Sequence, residues 1–244
     1  MKRSILFGAA LAATLAIGAA QAASVNIITV NSPVATTTAI TGSSTSGAQM
    51  DGMAVTAFFS DGTSSSATWL ATVGDAGSAA SSAFSLSESG DTFGGTWSLL
   101  NNTNVVLTGL KIDAGVGNTV FDIDPTNNPG TTGSFLGLPY TDLTGLTGTI
   151  GVTYSEIVAL TGFAPFGDLF AIMSVDYTGM SGGLAAGQSL GFIQDTDNLN
   201  LTGDLTITPT PLPAALPLFA TGLGAMGLLG WRRKRKNVAA IASA

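Results

Sequence analysis

The sequence predicts an all-β fold, a β-sandwich or jelly-roll-like domain, on three observations. Short apolar runs alternate with Gly, Asn, Asp and Ser punctuation through the middle of the chain. Charged residues make up only 9% of the 244, whereas long helices would draw on more Glu, Lys and Arg. The amphipathic runs have a period of two, as in half-buried strands.

The chain opens on Met1-Lys2-Arg3, a short positive region. Residues 4–20 are then apolar or small and uncharged, and Ala20-Gln21-Ala22 supplies small residues for cleavage before Ala23. These are the three parts of a signal peptide, so residues 1–22 read as a signal helix.

Residues 23–208 form the expected β-rich domain. Candidate strands are 24–30, 53–60, 67–73, 83–88, 96–100, 105–112, 119–123, 148–154, 169–177, 188–193 and 204–208. Turn signals such as Asp61-Gly62, Ser89-Gly90-Asp91 and Pro129-Gly130 separate them. Alternation places Phe84 and Leu86 on one face of their strand, and Trp97 and Leu99 on one face of theirs. Trp69 and Trp97 are expected in the core. The Thr/Ser/Gly-rich stretch 33–48 reads as a loop or irregular edge.

Residues 209–236 close the pattern, and 237–244 are a short tail. Pro209, Pro211 and Pro213 exclude helix and central strand. Residues 214–231 carry no charge and would span roughly 27 Å as a helix, close to the hydrocarbon thickness of a bilayer. Trp231 suits an interface, and Arg232, Arg233, Lys234, Arg235 and Lys236 follow as a membrane stop. By the positive-inside tendency this cluster stays in the cytoplasm and the acidic body lies outside.

The order Pro211-Leu212-Pro213, then a glycine-rich apolar stretch, then the basic run resembles the PEP-CTERM sorting signal, in the VPLPA variant of Gram-negative bacteria. The resemblance covers about the last 36 residues. Thr210 departs from it, where Val is usual, and so does the tail beyond Lys236. It implies an exosortase-like processing enzyme, cleavage near the Pro-x-Pro motif, transient anchoring in the inner membrane, and association with extracellular polysaccharide or biofilm. Segments around Trp69, Phe93, Trp97 and Phe121 also resemble ectodomains that accompany such tails.

Composition excludes much chemistry. The chain has no Cys and no His, so no disulfide, no Cys/His zinc site and no Ser-His-Asp or Cys-His site. The span from Asp51 to Asp204 holds all fifteen acids and one base, Lys111, a formal charge of −14. Such a body repels nucleic acid and anionic lipid. Fifteen acids leave a two-carboxylate glycosidase open, but nothing selects a pair.

Calcium is the one cofactor the residues suggest. Asp195, Asp197 and Asn198 form one oxygen-rich group, and Asp122, Asp124 and Asn127 a second. In an extended chain Asp195 and Asp197 project to the same side. Neither group is an EF-hand. The expectation is a non-enzymatic exported surface or matrix protein, with a secreted carbohydrate-active enzyme or a calcium-dependent self-associating subunit as rivals.

Overall fold

The structure is a computed structural model that describes residues 23–126, 130–199 and 206–208. The expected signal segment 1–22, the expected sorting motif Pro211, Leu212 and Pro213, the expected membrane stop Arg232, Arg233, Lys234, Arg235 and Lys236, and Asn127 lie outside the described residues.

Among the described residues the chain is nearly all strand. The first eight are β1 (Ser24–Thr37), β2 (Ile40–Gly42), β3 (Ala54–Phe59), β4 (Ser64–Thr68), β5 (Leu70–Ala71), β6 (Ala76–Ala80), β7 (Phe84–Ser89) and β8 (Trp97–Asn101). The rest are β9 (Leu107–Asp113), β10 (Thr119–Asp122), β11 (Thr141–Asp142), β12 (Thr149–Leu160), β13 (Leu169–Asp176), β14 (Ser189–Ile193), β15 (Thr196–Leu199) and β16 (Thr206–Thr208). Two 3-10 turns, Gly47–Met50 and Gly115–Gly117, interrupt them.

The strands form two sheets. One runs β16-β1-β12-β13-β10-β15-β2, with β9 pairing β13 and β3, and β4 pairing β3. The other runs β11-β14-β8-β7-β6-β5. β1 pairs β12 in parallel, and the pairings among β2 to β15 are antiparallel.

Alternation decides which side chains are buried. Val55, Ala57 and Phe59 of β3 point inward, as do Phe84 and Leu86 of β7, Trp97 and Leu99 of β8, and Leu190 and Phe192 of β14. These residues of both sheets belong to one apolar cluster. Trp69 and Trp97 are both fully buried within it, 5.2 Å apart between ring centroids. Each indole also finds an acceptor: Trp69 Nε1 donates to Gly47 O (2.8 Å) and Trp97 Nε1 to Gln194 O (2.9 Å). A second, smaller cluster of Val120, Leu169, Ala171, Leu199 and neighbours lies on the opposite face of the first sheet.

Several local expectations change. Residues 33–48 are not a loop throughout: β1 continues to Thr37, β2 follows, and Gly47–Met50 form a 3-10 turn. The long parallel partner β12 carries β1 past a register shift between Val30 and Val34. β6 was not anticipated, because Ala76-Gly-Ser-Ala-Ala has no apolar rhythm. Its glycine answers a tertiary demand: a Cβ on Gly77 would lie 2.2 Å from Trp69 Nε1 and from Gly47 O. β15 lies beyond the candidate strand 188–193 and is a strand of its own, paired with β10 and β2. No helix among the described residues is long and apolar enough to cross a membrane.

Candidate metal centre

The antiparallel pair β10–β15 builds the site. Val120 lies opposite Asp197 and Phe121 opposite Thr196, and Asp122 N donates to Asp195 O (3.2 Å). Asp122, Asp195 and Asp197 therefore share one face with Val120 and Leu199 of the smaller cluster. Phe121 faces the main core instead. One carboxylate oxygen from each of Asp122, Asp195 and Asp197 lies within 4.8 Å of the others. All three residues are buried, at 0%, 0% and 1% exposure.

A covering segment, residues 130–138, closes over them. Ser134 Oγ donates to Asp122 Oδ2, and Asp195 N donates to Leu138 O (3.0 Å). Gly137 packs so closely that a Cβ there would sit 2.1 Å from Asp122 Oδ1. Asp168 anchors the start of the segment. It accepts from Thr131 N (2.5 Å), Thr131 Oγ1 (2.8 Å) and Leu169 N (3.1 Å).

The carboxylates are unevenly served. Asp122 accepts from Ser134 and from Asp124 N (3.1 Å). Asp195 Oδ1 accepts from Thr92 Oγ1 (3.1 Å), and its Oδ2 has no donor. Both oxygens of Asp197 lack a hydrogen bond. Ser134 lies near enough to draw the Asp197 carboxyl down somewhat, but its single hydrogen is committed to Asp122.

Burial dominates the electrostatics. It pushes the Asp195 carboxyl up to about 8, with the Asp197 charge adding to the effect. It pushes Asp197 up to about 7, helped by Asp122 and Asp168. Asp122 rises to about 6 for the same reason, against the hydrogen bonds from Ser134 and Asp124. Lys111, the one base among the described residues, stands on β9, where its charge lowers the Glu156 carboxyl against the effect of burial.

The two oxygen-rich groups read from sequence thus contribute to one centre, and each loses a member. Asn198 points to the opposite face, where its Oδ1 accepts from Thr45 Oγ1 (2.8 Å) and its Nδ2 donates to Gln49 O (3.1 Å). Asp124 lies past the end of β10, and its Oδ1 accepts from Thr126 N (2.9 Å) and Thr126 Oγ1 (2.7 Å). Sequence reasoning missed Ser134, Thr92, Gly137 and Asp168. A lone Ser or Gly in a polar segment carries no local signal of what it will cover.

A second buried acid also escaped the sequence reading. Glu88, on the inward rhythm of Phe84 and Leu86, is 2% exposed, and neither carboxylate oxygen makes a hydrogen bond. Burial pushes it up to about 7; the Gly47 and Ser89 amides pull the other way without reaching hydrogen-bond geometry. Asn101, at the end of neighbouring β8, shows the opposite outcome. Its Nδ2 donates to Val105 O (2.7 Å) and Leu184 O (3.0 Å), and its Oδ1 accepts from Thr103 N (3.0 Å) and Oγ1 (2.8 Å).

Comparison with protein-family models, with curated proteins and with solved structures finds no match to the chain.

Proposed function

We propose that this chain is an exported surface or matrix protein with a β-sandwich domain, trimmed at its C-terminal tail by an exosortase-like transpeptidase. The single observation that carries the reading is the tail's order: Pro211-Leu212-Pro213, an uncharged stretch to Trp231, then Arg232 to Lys236. The signal-peptide pattern at the other end agrees with it in topology. The sandwich reading is supported by the single apolar cluster to which residues of both sheets contribute.

A non-enzymatic role accords with the burial of the clustered carboxylates. A glycosidase pair must reach a sugar and a water, and Asp122, Asp195 and Asp197 are sealed from solvent. Extracellular polysaccharide remains the partner that fits best. Phe163 (70% exposed) and Phe166 (52%) line one cleft with Thr132, offering rings and a hydroxyl to a neutral sugar. The surplus of acids disfavours nucleic acid.

The test is the fate of the tail in the native host. A tag inserted beside the exposed Val73 would follow the chain through fractionation, and mass spectrometry would read its C-terminus. The expected result is a surface or released form that lacks Arg232 to Lys236, and loss of trimming when Pro211 and Pro213 become alanine. A full-length chain retained in the cytoplasm would overturn the proposal.

A further inference from the structure

Asp168, beside the centre, has both carboxylate oxygens served by backbone and hydroxyl donors. Asp197 is buried to the same degree, with neither oxygen hydrogen-bonded, and Asp195 has one oxygen left over. Burying such oxygens is unfavourable unless something positive meets them. Lys111 does not, because its position on β9 sets it against Glu156. A shared proton would satisfy one pair of oxygens, whereas a divalent cation meets all three residues at once.

The donor chemistry selects among cations. Every side-chain donor at the centre is oxygen, from three carboxylates and the neighbouring Ser134 hydroxyl, which suits hard ions rather than zinc or copper. Two oxygens bound to one calcium ion lie at most about 5 Å apart, twice the usual 2.3–2.6 Å bond. The three oxygens, all within 4.8 Å of one another, fit that limit. Burial decides against magnesium, which gives up its waters reluctantly, whereas calcium accepts a cage of protein oxygens.

We infer that Asp122, Asp195 and Asp197 form a calcium site that ties the covering segment 130–138 to the β10–β15 pair. Asp197, with both oxygens free, is the bidentate ligand. Asp195 binds through Oδ2. Asp122 binds through the lone pair left after its hydrogen bonds to Ser134 and Asp124. Backbone carbonyls and water complete the shell. The ion thereby joins β10, β15 and, through Ser134 and the close packing of Gly137, the segment between β10 and β11. Loading after export rests on the surface-protein reading, because free calcium is scarce in cytoplasm and plentiful outside. Binding itself does not depend on that reading, so the two can fail separately.

The experiment is calorimetric titration of the purified chain with calcium chloride and with magnesium chloride, alongside thermal melting in chelator and in calcium. One ion per chain is expected, with a dissociation constant on the order of 0.1–1 mM, as in extracellular modules. Magnesium should bind at least about tenfold more weakly. Asp197→Asn should weaken calcium at least about tenfold, while the exposed Asp75→Asn leaves it unchanged. Should Asp197→Asn not fold, Ser134→Ala is the second variant, expected to weaken binding by a smaller factor. No heat and no melting shift at about 10 mM calcium would overturn the site. So would full affinity retained in Asp197→Asn, or magnesium binding as tightly as calcium.

Discussion

Replacing Asp197 by Asn should raise stability strongly without calcium and much less with it. The substitution keeps shape and removes one ionisable group from a buried position. In the calcium-free protein the Asp197 carboxyl is raised from 3.8 to about 7, first by burial and then by the charges of Asp122 and Asp168. Below pH 3.8 folded and unfolded chains are both protonated there, and the residue costs nothing. Between 3.8 and about 7 the unfolded chain releases its proton and the folded chain holds it, so stability falls as pH rises. Above about 7 the loss is complete, roughly 4 kcal/mol at 1.36 kcal/mol per pH unit. Asp197→Asn has no proton to lose. At pH 7.5 in chelator its Tm should therefore exceed the parent's by about 8–16 °C, taking 2–4 °C per kcal/mol for a chain of this size. At pH 4 the difference should shrink towards zero. In calcium at a hundred times its dissociation constant the parent gains about 2.7 kcal/mol, and a variant that binds about tenfold more weakly about 1.4 kcal/mol, so the gap should narrow by at least about 1.3 kcal/mol. A variant that melts below its parent in chelator at pH 7.5, or by the same margin in calcium and in chelator, would refute the reasoning.

The remaining expectations follow from neighbouring groups. The calcium-free parent should lose stability progressively from about pH 4 to about pH 8, since Asp122, Asp197, Glu88 and Asp195 are raised to about 6, 7, 7 and 8; a flat melting profile over that window would contradict the burial of these acids. Glu88→Gln should raise the melting temperature above pH 7 and leave it unchanged near pH 4, with or without calcium, because Glu88 belongs to a different part of the fold. Gly137→Ala should destabilise the domain by about 1–3 kcal/mol and weaken calcium, because its Cβ would press on Asp122; denaturant unfolding and calorimetry would read the two effects. Trp97→Ala should cost about 3–5 kcal/mol in denaturant unfolding, through the lost ring contacts with Trp69 and Phe192 and a cavity at a fully buried position.

The sequence by itself determined what depends on near neighbours. The proposed signal segment, the Pro-x-Pro motif and the basic run are contiguous patterns, and the export route proposed from them needs no fold to be read. Period-two alternation made the inward faces around Phe84 and Leu86 and around Trp97 and Leu99 legible, because a strand puts every second side chain on one side whatever it pairs with. The same rule placed Asp195 and Asp197 together before any partner was known. Tertiary structure decided what depends on distant contacts. β6 carries glycine at position 77 because Gly47 and Trp69 leave no room there for a Cβ, a requirement written far from Gly77 in the chain. β15 is a polar strand because β10 and β2 pair with it, and that pairing is what sets Asp122 beside Asp195. Strand parity then turned Asn198 away from the oxygen-rich group in which its sequence position places it. Burial did the rest. The same carboxylates in a solvated turn would hold ordinary acidities, and closed under residues 130–138 they become groups that need a proton or a cation.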